Sequence, residues 1–264
     1  MVEQLRQEHR LSARQACRAL GLARSTLAYK PASRDDSAVI EAILAYVQRN
    51  PRHGFGLLYA TFRSQGKPWG KTLLWRVYCD LKLNLPRRGK KRLPERIKEP
   101  LQVPSAANET WSADFMADAL WNGGRFRTFN VIDDFNREAL RIEIDRGLPA
   151  ARVIRVLNEL LEIRGKPKRI RLDNGPELVS KALADWASQS GIALQFIQPG
   201  KPTQNAYIER FNRTYRTEVL DCYIFETLNE VRRMTADWMH RYNHERPHES
   251  LGLIPPARYG MANC

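Results

Sequence analysis

The sequence is poor in cysteine: Cys17, Cys79, Cys222 and Cys264 are the only four in 264 residues, and none forms a CxxC pair. Thiols this dispersed exclude a disulfide framework and a cysteine-built zinc knuckle, and they fit a reducing compartment. Long apolar runs are also missing. Nowhere do 18 apolar residues follow one another, which excludes a membrane-spanning helix. The opening MVEQLRQEHR lacks the apolar core of a secretion signal. Negative charge is in short supply, with 29 Asp+Glu against 43 Lys+Arg and a net charge of +14. A composition of 43% hydrophobic and 27% charged residues belongs to a globular chain rather than a disordered one. A soluble, strongly basic protein is expected, and its excess charge points to nucleic acid as partner, with no role for a membrane.

The charge is unevenly spread. Residues 1–104 hold 21 Lys+Arg and 8 Asp+Glu, a net +13, whereas residues 105–264 hold 22 and 21, a net +1. The change falls in the proline-punctuated tract LPRRGKKRLPERIKEPLQVPSAANET, from Leu85 to Thr110, whose composition predicts a linker or extended arm. Four segments follow: 1–34, a helix-turn-helix-like unit; 35–84, a second helical DNA-binding unit; 85–107, the basic linker; and 108–264, an α/β domain.

In the first unit, Ser12 with Gln15 three residues on makes a capping box, and Gly21 offers a left-handed turn before a second short helix near Arg24 or Ser25. In the second, Val39, Ile40, Ile43, Leu44 and Val47 form one apolar helical face; HGFG (His53–Gly56) reads as a turn, followed by helices over 57–64 and 71–81. Lys71, Arg76, Arg87, Arg88, Lys90, Lys91 and Arg92 are candidate contacts to DNA phosphates, which position a protein without reading sequence.

Beyond Thr110 the periodicity changes. WSADFMA (111–117), FRTFNVID (126–133) and ALRIEI (139–144) read as an antiparallel meander, followed by a helix over 151–163, a strand at 169–173, a helix over 180–189 and a strand at 193–197. After the loop QPGKPTQ (198–204) come helices over 205–220 and 228–242. This order predicts a mixed five-stranded sheet with flanking helices. Asp114 falls inside the first strand, Asp173 at the end of the fourth and Glu209 on the helix after the loop. Carboxylates beside an apolar sheet are costly unless compensated, and a shared divalent cation is one compensation.

Four stretches, WSADF, RLDNGPE, PGKPTQNAYIERFN and RYNHERPHESLG, together resemble the catalytic proteins of bacterial insertion sequences. Those proteins share a D,D(35)E signature and an RNase H-like fold with retroviral integrases, and 35 residues separate Asp173 from Glu209 here. The resemblance covers roughly residues 108–259, and the N-terminal half is similar to the same proteins' helix-turn-helix region. Leu57-Leu58 departs from that pattern, where relatives carry arginines.

The resemblance implies a DNA transposase that cuts and joins the ends of an element by two-metal phosphoryl transfer, with two Mg²⁺ ions and Mn²⁺ as a substitute. Asp114, Asp173 and Glu209 would be the catalytic residues and metal ligands, Asp114 bridging both ions. It also implies action on double-stranded element ends and target DNA as a homo-oligomer in the bacterial cytoplasm, at the nucleoid. An upstream first-frame DNA-binding protein, joined by frameshifting, is a further implied partner. Asp133, Asp134 and Glu177 are rival carboxylates, with Asp133 better read as turn chemistry. At 100° per residue Asn205, Glu209, Arg213 and Arg216 lie within about 80° on one helix face, so the three polar neighbours, with Lys201 in the preceding loop, are candidate DNA contacts. His240, His244 and His248 mimic a zinc ladder, but Pro247 interrupts it. Trp121, in its Asn-Gly-Gly turn, is a candidate for base stacking. Two other functions fit the same pattern: a structure-specific endonuclease of this fold, and an inactive DNA-binding derivative.

Overall fold

The protein is described by a computed structural model covering residues 1–29, 35–86, 103–175, 177–198 and 202–262. It divides into two compact units, Met1–Glu41 and Ala42–Cys264.

The first unit holds α1 (Val2–His9), α2 (Ala13–Ala19) and α3 (Arg24–Ala28). Ser12 and Gln15 form the reciprocal capping box at the start of α2, and Gly21 takes the left-handed conformation, φ +63°, in the turn before α3. The small core joins Val2, Ala16 and Cys17, with Leu5, Leu11 and Leu20 packed against it. The sequence pattern did not announce α1: its single buried residue, Val2, leaves almost no apolar periodicity to detect.

The second unit opens within α4 (Ser37–Arg49), followed by α5 (Phe55–Ser64) and α6 (Lys71–Asp80). HGFG is less of a turn than its composition implies, because Gly54 caps α5 and Phe55 is already helical. Ile43, Leu58, Leu74 and Val77 are buried, and the Phe55 ring meets Trp75 and Tyr78 edge-on.

The sheet comprises β1 (Thr110–Ala119), β2 (Arg125–Asp133), β3 (Ala139–Asp145), β4 (Arg169–Leu172) and β5 (Ala193–Phe196), in the order β3-β2-β1-β4-β5. β1, β2 and β3 form the antiparallel meander; β4 runs parallel to β1, and β5 parallel to β4. The expected mixed five-stranded sheet is therefore present, with α7 (Ala150–Arg164) and α8 (Lys181–Ser190) as its crossovers.

The alternation of strand side chains separates two cores. Trp111, Ala113, Phe129, Val131, Ile170 and Leu172 face α7 and α8. Phe126, Ile132, Ile142 and Ile144 face the other layer, built from α9 (Ala206–Tyr215), its continuation as a π-helix over Arg216–Leu220, and α10 (Leu228–His244). A short α11 (Pro256–Ala262) ends the described chain. In α9, Ile208, Phe211 and Tyr215 are buried on the sheet side, while Phe211 and Tyr215 also pack on Trp238 of α10. No helix among the described residues is long and apolar enough to cross a membrane.

Candidate active site

The period of two along β1 puts Asp114 on the face opposite Trp111 and Ala113, toward α9. The parallel ladder between β1 and β4 ends at Ala113↔Leu172, so Asp114 and Asp173 are the next residues along adjacent strands and share a face. Neighbouring strands lie about 4.8 Å apart. Glu209 is exposed in the first turn of α9, where the helix dipole favours a negative charge.

Hydrogen bonds hold Asp114 at both oxygens. The Phe115 amide donates to Oδ1 at 2.8 Å, and Asn212 Nδ2 donates to Oδ2 at 2.8 Å. Asn212 Oδ1 in turn accepts from Asn130 Nδ2 at 2.7 Å, directly across β2 from Asp114. Asp173 Oδ1 accepts from the Gly175 amide at 3.1 Å. A Cβ on Gly175 would also sit 3.1 Å from that oxygen, so the turn after β4 tolerates only hydrogen there without moving the carboxylate.

Electrostatics tie the three acids together. The Asp114 carboxyl is pushed up to about 6 by burial first, then by the negative charges of Asp173 and Glu209, against the stabilising Phe115 and Asn212 hydrogen bonds. Among the described residues none of the three forms an ion pair. Nor do three carboxylate, histidine or cysteine side chains there converge closely enough to enclose a metal. The donor chemistry nevertheless fits a hard divalent cation: oxygen ligands, mutual repulsion, and no positive charge among the described residues paired with them to relieve it.

The rival acids are otherwise engaged. Asp133 accepts the Asn108 and Phe135 amides at 2.8 Å each, as a turn residue does. Asp134 is fully buried and takes a 2.8 Å bond from Arg171. Glu177 is held by Arg127, whose hydrogen bond draws its carboxyl below the ordinary range.

The expected DNA contacts separate. Arg213 is exposed on the Glu209 face. Asn205, expected beside it, is instead 2% exposed, at the N-cap of α9. Arg216 is engaged by the protein itself, donating to Asp118 Oδ2 at 3.1 Å and to the Ala117 carbonyl at 2.9 Å. The reason is a partner on β1: Asp118, four residues beyond Asp114 on the same face, engages the guanidinium four residues beyond Asn212. Lys71 is exposed and lies over the Tyr59 ring, and Arg76 pairs with Asp80 at 3.7 Å. Arg87, Arg88, Lys90, Lys91, Arg92 and Lys201 lie outside the described residues. Trp121 is 73% exposed. The His240 and His244 rings meet in a tilted contact on α10, and His248 lies beyond its end.

Sequence reading missed Asn130 and Asn212 as site residues. A signal was available for Asn212, three residues after Glu209 and so one helical turn along. Asn130 could only be found from the strand register.

Residues 104–202 and 190–256 each match the integrase core domain family. A simian T-cell lymphotropic virus intasome, solved in complex with PP2A regulatory subunit B56 gamma, contains a chain of the same fold. Its TM-score is 0.50 at 15% identity, over 76% of this chain and 73% of that one. The sheet and its helices thus define an RNase H-like integrase core. An uncharacterized 31.7 kDa protein of insertion element IS407 from Burkholderia multivorans is 39% identical over 256 residues, 97% of this chain and 92% of its own. An uncharacterized 39.2 kDa protein of insertion element IS476 from Xanthomonas euvesicatoria is 38% identical, over 94% of this chain and 72% of its own. The transposase for insertion sequence element IS629 from Shigella sonnei is 26% identical, over 59% of this chain and 52% of its own. The chain belongs to the bacterial insertion-sequence transposases of the retroviral-integrase superfamily.

Proposed function

We propose that this transposase cleaves the ends of its element and joins the freed 3′-hydroxyls to target DNA, with Asp114, Asp173 and Glu209 as the catalytic acids. The supporting observation is that Asp114 sits on β1 with its carboxyl raised by burial and then by both other acids, while no cationic side chain among the described residues pairs with any of them. Magnesium, two ions with manganese as a substitute, would be held by these three carboxylates; such ions supply charge neutralisation at phosphorus and activation of the attacking oxygen.

The chain's own groups do the positioning. Asn212 and the Phe115 amide orient the Asp114 carboxylate, and the Gly175 amide orients Asp173. Arg213, exposed one turn beyond Glu209, would grip a DNA phosphate beside the acids. Lys71 on α6 would add a phosphate contact remote from them, with the basic residues between 87 and 92 and Lys201. The four-segment organisation described for the sequence fits this division, with affinity in the basic N-terminal part and chemistry in residues 108–264. Two element ends must be held together, so assembly on DNA as at least a dimer belongs to the reading. So do a place at the bacterial nucleoid and an association with a first-frame DNA-binding product.

The decisive test replaces Glu209 by Gln and assays strand joining with Mg²⁺ on duplex element ends. Joining is expected to disappear while DNA binding stays at the wild-type level. Persistent joining sinks the triad assignment. Hydrolysis without joining in the wild type would favour the endonuclease.

A further inference from the structure

A second site lies on the side of α9 away from Glu209. A cavity of about 350 Å³ opens between α9, the turn joining β2 to β3, and the segment His248–Ser250 after α10. Tyr207, Arg210, Phe211 and Thr214 line it from α9. At 100° per residue these centre roughly opposite Glu209 and Asn212, across a helix about 10 Å thick.

Arg137, in the β2–β3 turn, is the unusual wall residue. It is 8% exposed, and its Nη1 is buried with no hydrogen-bond partner. It forms no ion pair among the described residues. Its guanidinium lies over the Tyr207 ring, 3.4 Å from the centroid. Its backbone is left-handed at φ +62°, a conformation that costs a non-glycine residue about 1–2 kcal/mol and persists where the surroundings enforce it. A buried, under-bonded cation held in a strained turn beside a cavity is an incomplete arrangement.

The opposite wall completes the chemistry. Arg210 is largely exposed and pairs with Glu249 at the rim, at 3.6 Å. His248 is held down at about 4, by burial first and then by Arg246, Arg137 and Arg210, so its imidazole is neutral at neutral pH. Its Nδ1 lies 3.1 Å from Ser250 Oγ. Guanidinium forks suit phosphoryl oxygens better than point cations do.

We propose that this cavity binds a phosphoryl anion between Arg137 and Arg210, with Glu249 as the rim carboxylate that the anion displaces. The anion is either a DNA backbone phosphate, which rests on the transposase reading, or a free phosphate compound, which does not.

The test titrates the full chain with sodium pyrophosphate in metal-free buffer at constant ionic strength, following the Arg Nε–H resonances by NMR. Saturable shifts of Arg137 and Arg210 are expected. Arg210→Gln should abolish the Arg137 shift, and Glu249→Gln should tighten binding about two- to fivefold by removing the competing charge. A gain of affinity cannot come from misfolding. Arg155→Gln, at an exposed position of α7, should leave the titration unchanged. Absence of saturable shifts, or identical titrations in Arg210→Gln and Glu249→Gln, overturns the site. In a parallel arm, duplex DNA binding is measured against salt. A slope of log K on log salt lowered by about 0.9 in Arg210→Gln and Arg137→Gln assigns the anion to the DNA backbone. An unchanged slope with the pyrophosphate shifts intact assigns it to a free phosphate. A wild-type chain that fails to bind DNA sinks the transposase reading and leaves the pyrophosphate arm to decide the site.

Discussion

Asn212 donates to Asp114 Oδ2 at 2.8 Å, and that bond couples the helix carrying Glu209 to the strand carrying Asp114. Since Asn130 backs the same amide at 2.7 Å, the acid is oriented by a relay of two side-chain amides. Partners of this kind typically contribute 10–100-fold to the activity or affinity of a metal site. Asn212→Ala is therefore expected to lower strand joining by about 10–100-fold and to raise the Mg²⁺ concentration needed for half-maximal rate. Unchanged metal dependence with normal joining would remove Asn212 from the site.

Asp114 makes its own stability prediction. Its carboxyl is raised to about 6 in the folded chain from an ordinary value of 3.8, by burial and then by Asp173 and Glu209. An acid with a raised folded pKa favours folding while it is protonated, so its contribution falls as pH rises from about 4 to 6 and stays unfavourable above. Asp114→Asn should accordingly stabilise the metal-free protein by about 1–2 kcal/mol at pH 8 and by little at pH 4. Chemical denaturation of both proteins at the two pH values measures this. Mg²⁺ should raise the wild-type melting temperature more at pH 8 than at pH 5.

Glu218 predicts the opposite pH sign. It sits in the π-helix that continues α9, where His53 Nε2 lies 3.3 Å away and Arg246 and Trp238 donate at 2.9 Å each. Burial raises its carboxyl, but the His53 hydrogen bond and the Arg246 charge outweigh burial and hold it at about 2. The stability this confers is complete above about 4.5 and is lost as pH falls toward 2. Glu218→Ala should cost about 3–5 kcal/mol near neutrality, because Arg246 and His53 lose their buried partner. The difference from wild type should shrink in acid, as urea titrations at pH 7 and pH 3 would reveal.

Gly175→Ala tests the turn after β4. The new methyl would stand 3.1 Å from Asp173 Oδ1, pressing on the carboxylate without burying anything. Strand joining is expected to fall about tenfold or more, since small displacements of catalytic groups are costly. Melting temperature should change little. A large loss of stability with full specific activity would contradict the reading.

Much of this was legible along the chain. The strand alternations at 111–117 and 126–133 and the helices read at 151–163 and 180–189 correspond to β1, β2, α7 and α8 because period-two and period-3.6 burial are local properties. The capping box at Ser12 and the glycine turn at Gly21 were readable for the same reason. Asp114, Asp173 and Glu209 stood out through family resemblance and their place on strand and helix signals.

Other features belong to the tertiary structure alone. That Asp114 and Asp173 share a face follows from the β1–β4 register, which pairs residues 59 positions apart. Asn130, Asn212, Glu218 and Arg137 acquired their roles from contacts between distant segments, which no local period encodes. The same holds for what the arginines do. The sequence by itself determined how many cations accompany the Glu209 helix, and packing decided their use. Asp118 engaged Arg216 on β1, Arg213 stayed exposed, and the β2–β3 turn buried Arg137 over Tyr207. Charge is written residue by residue, whereas its availability depends on which neighbours the fold brings within a few ångströms.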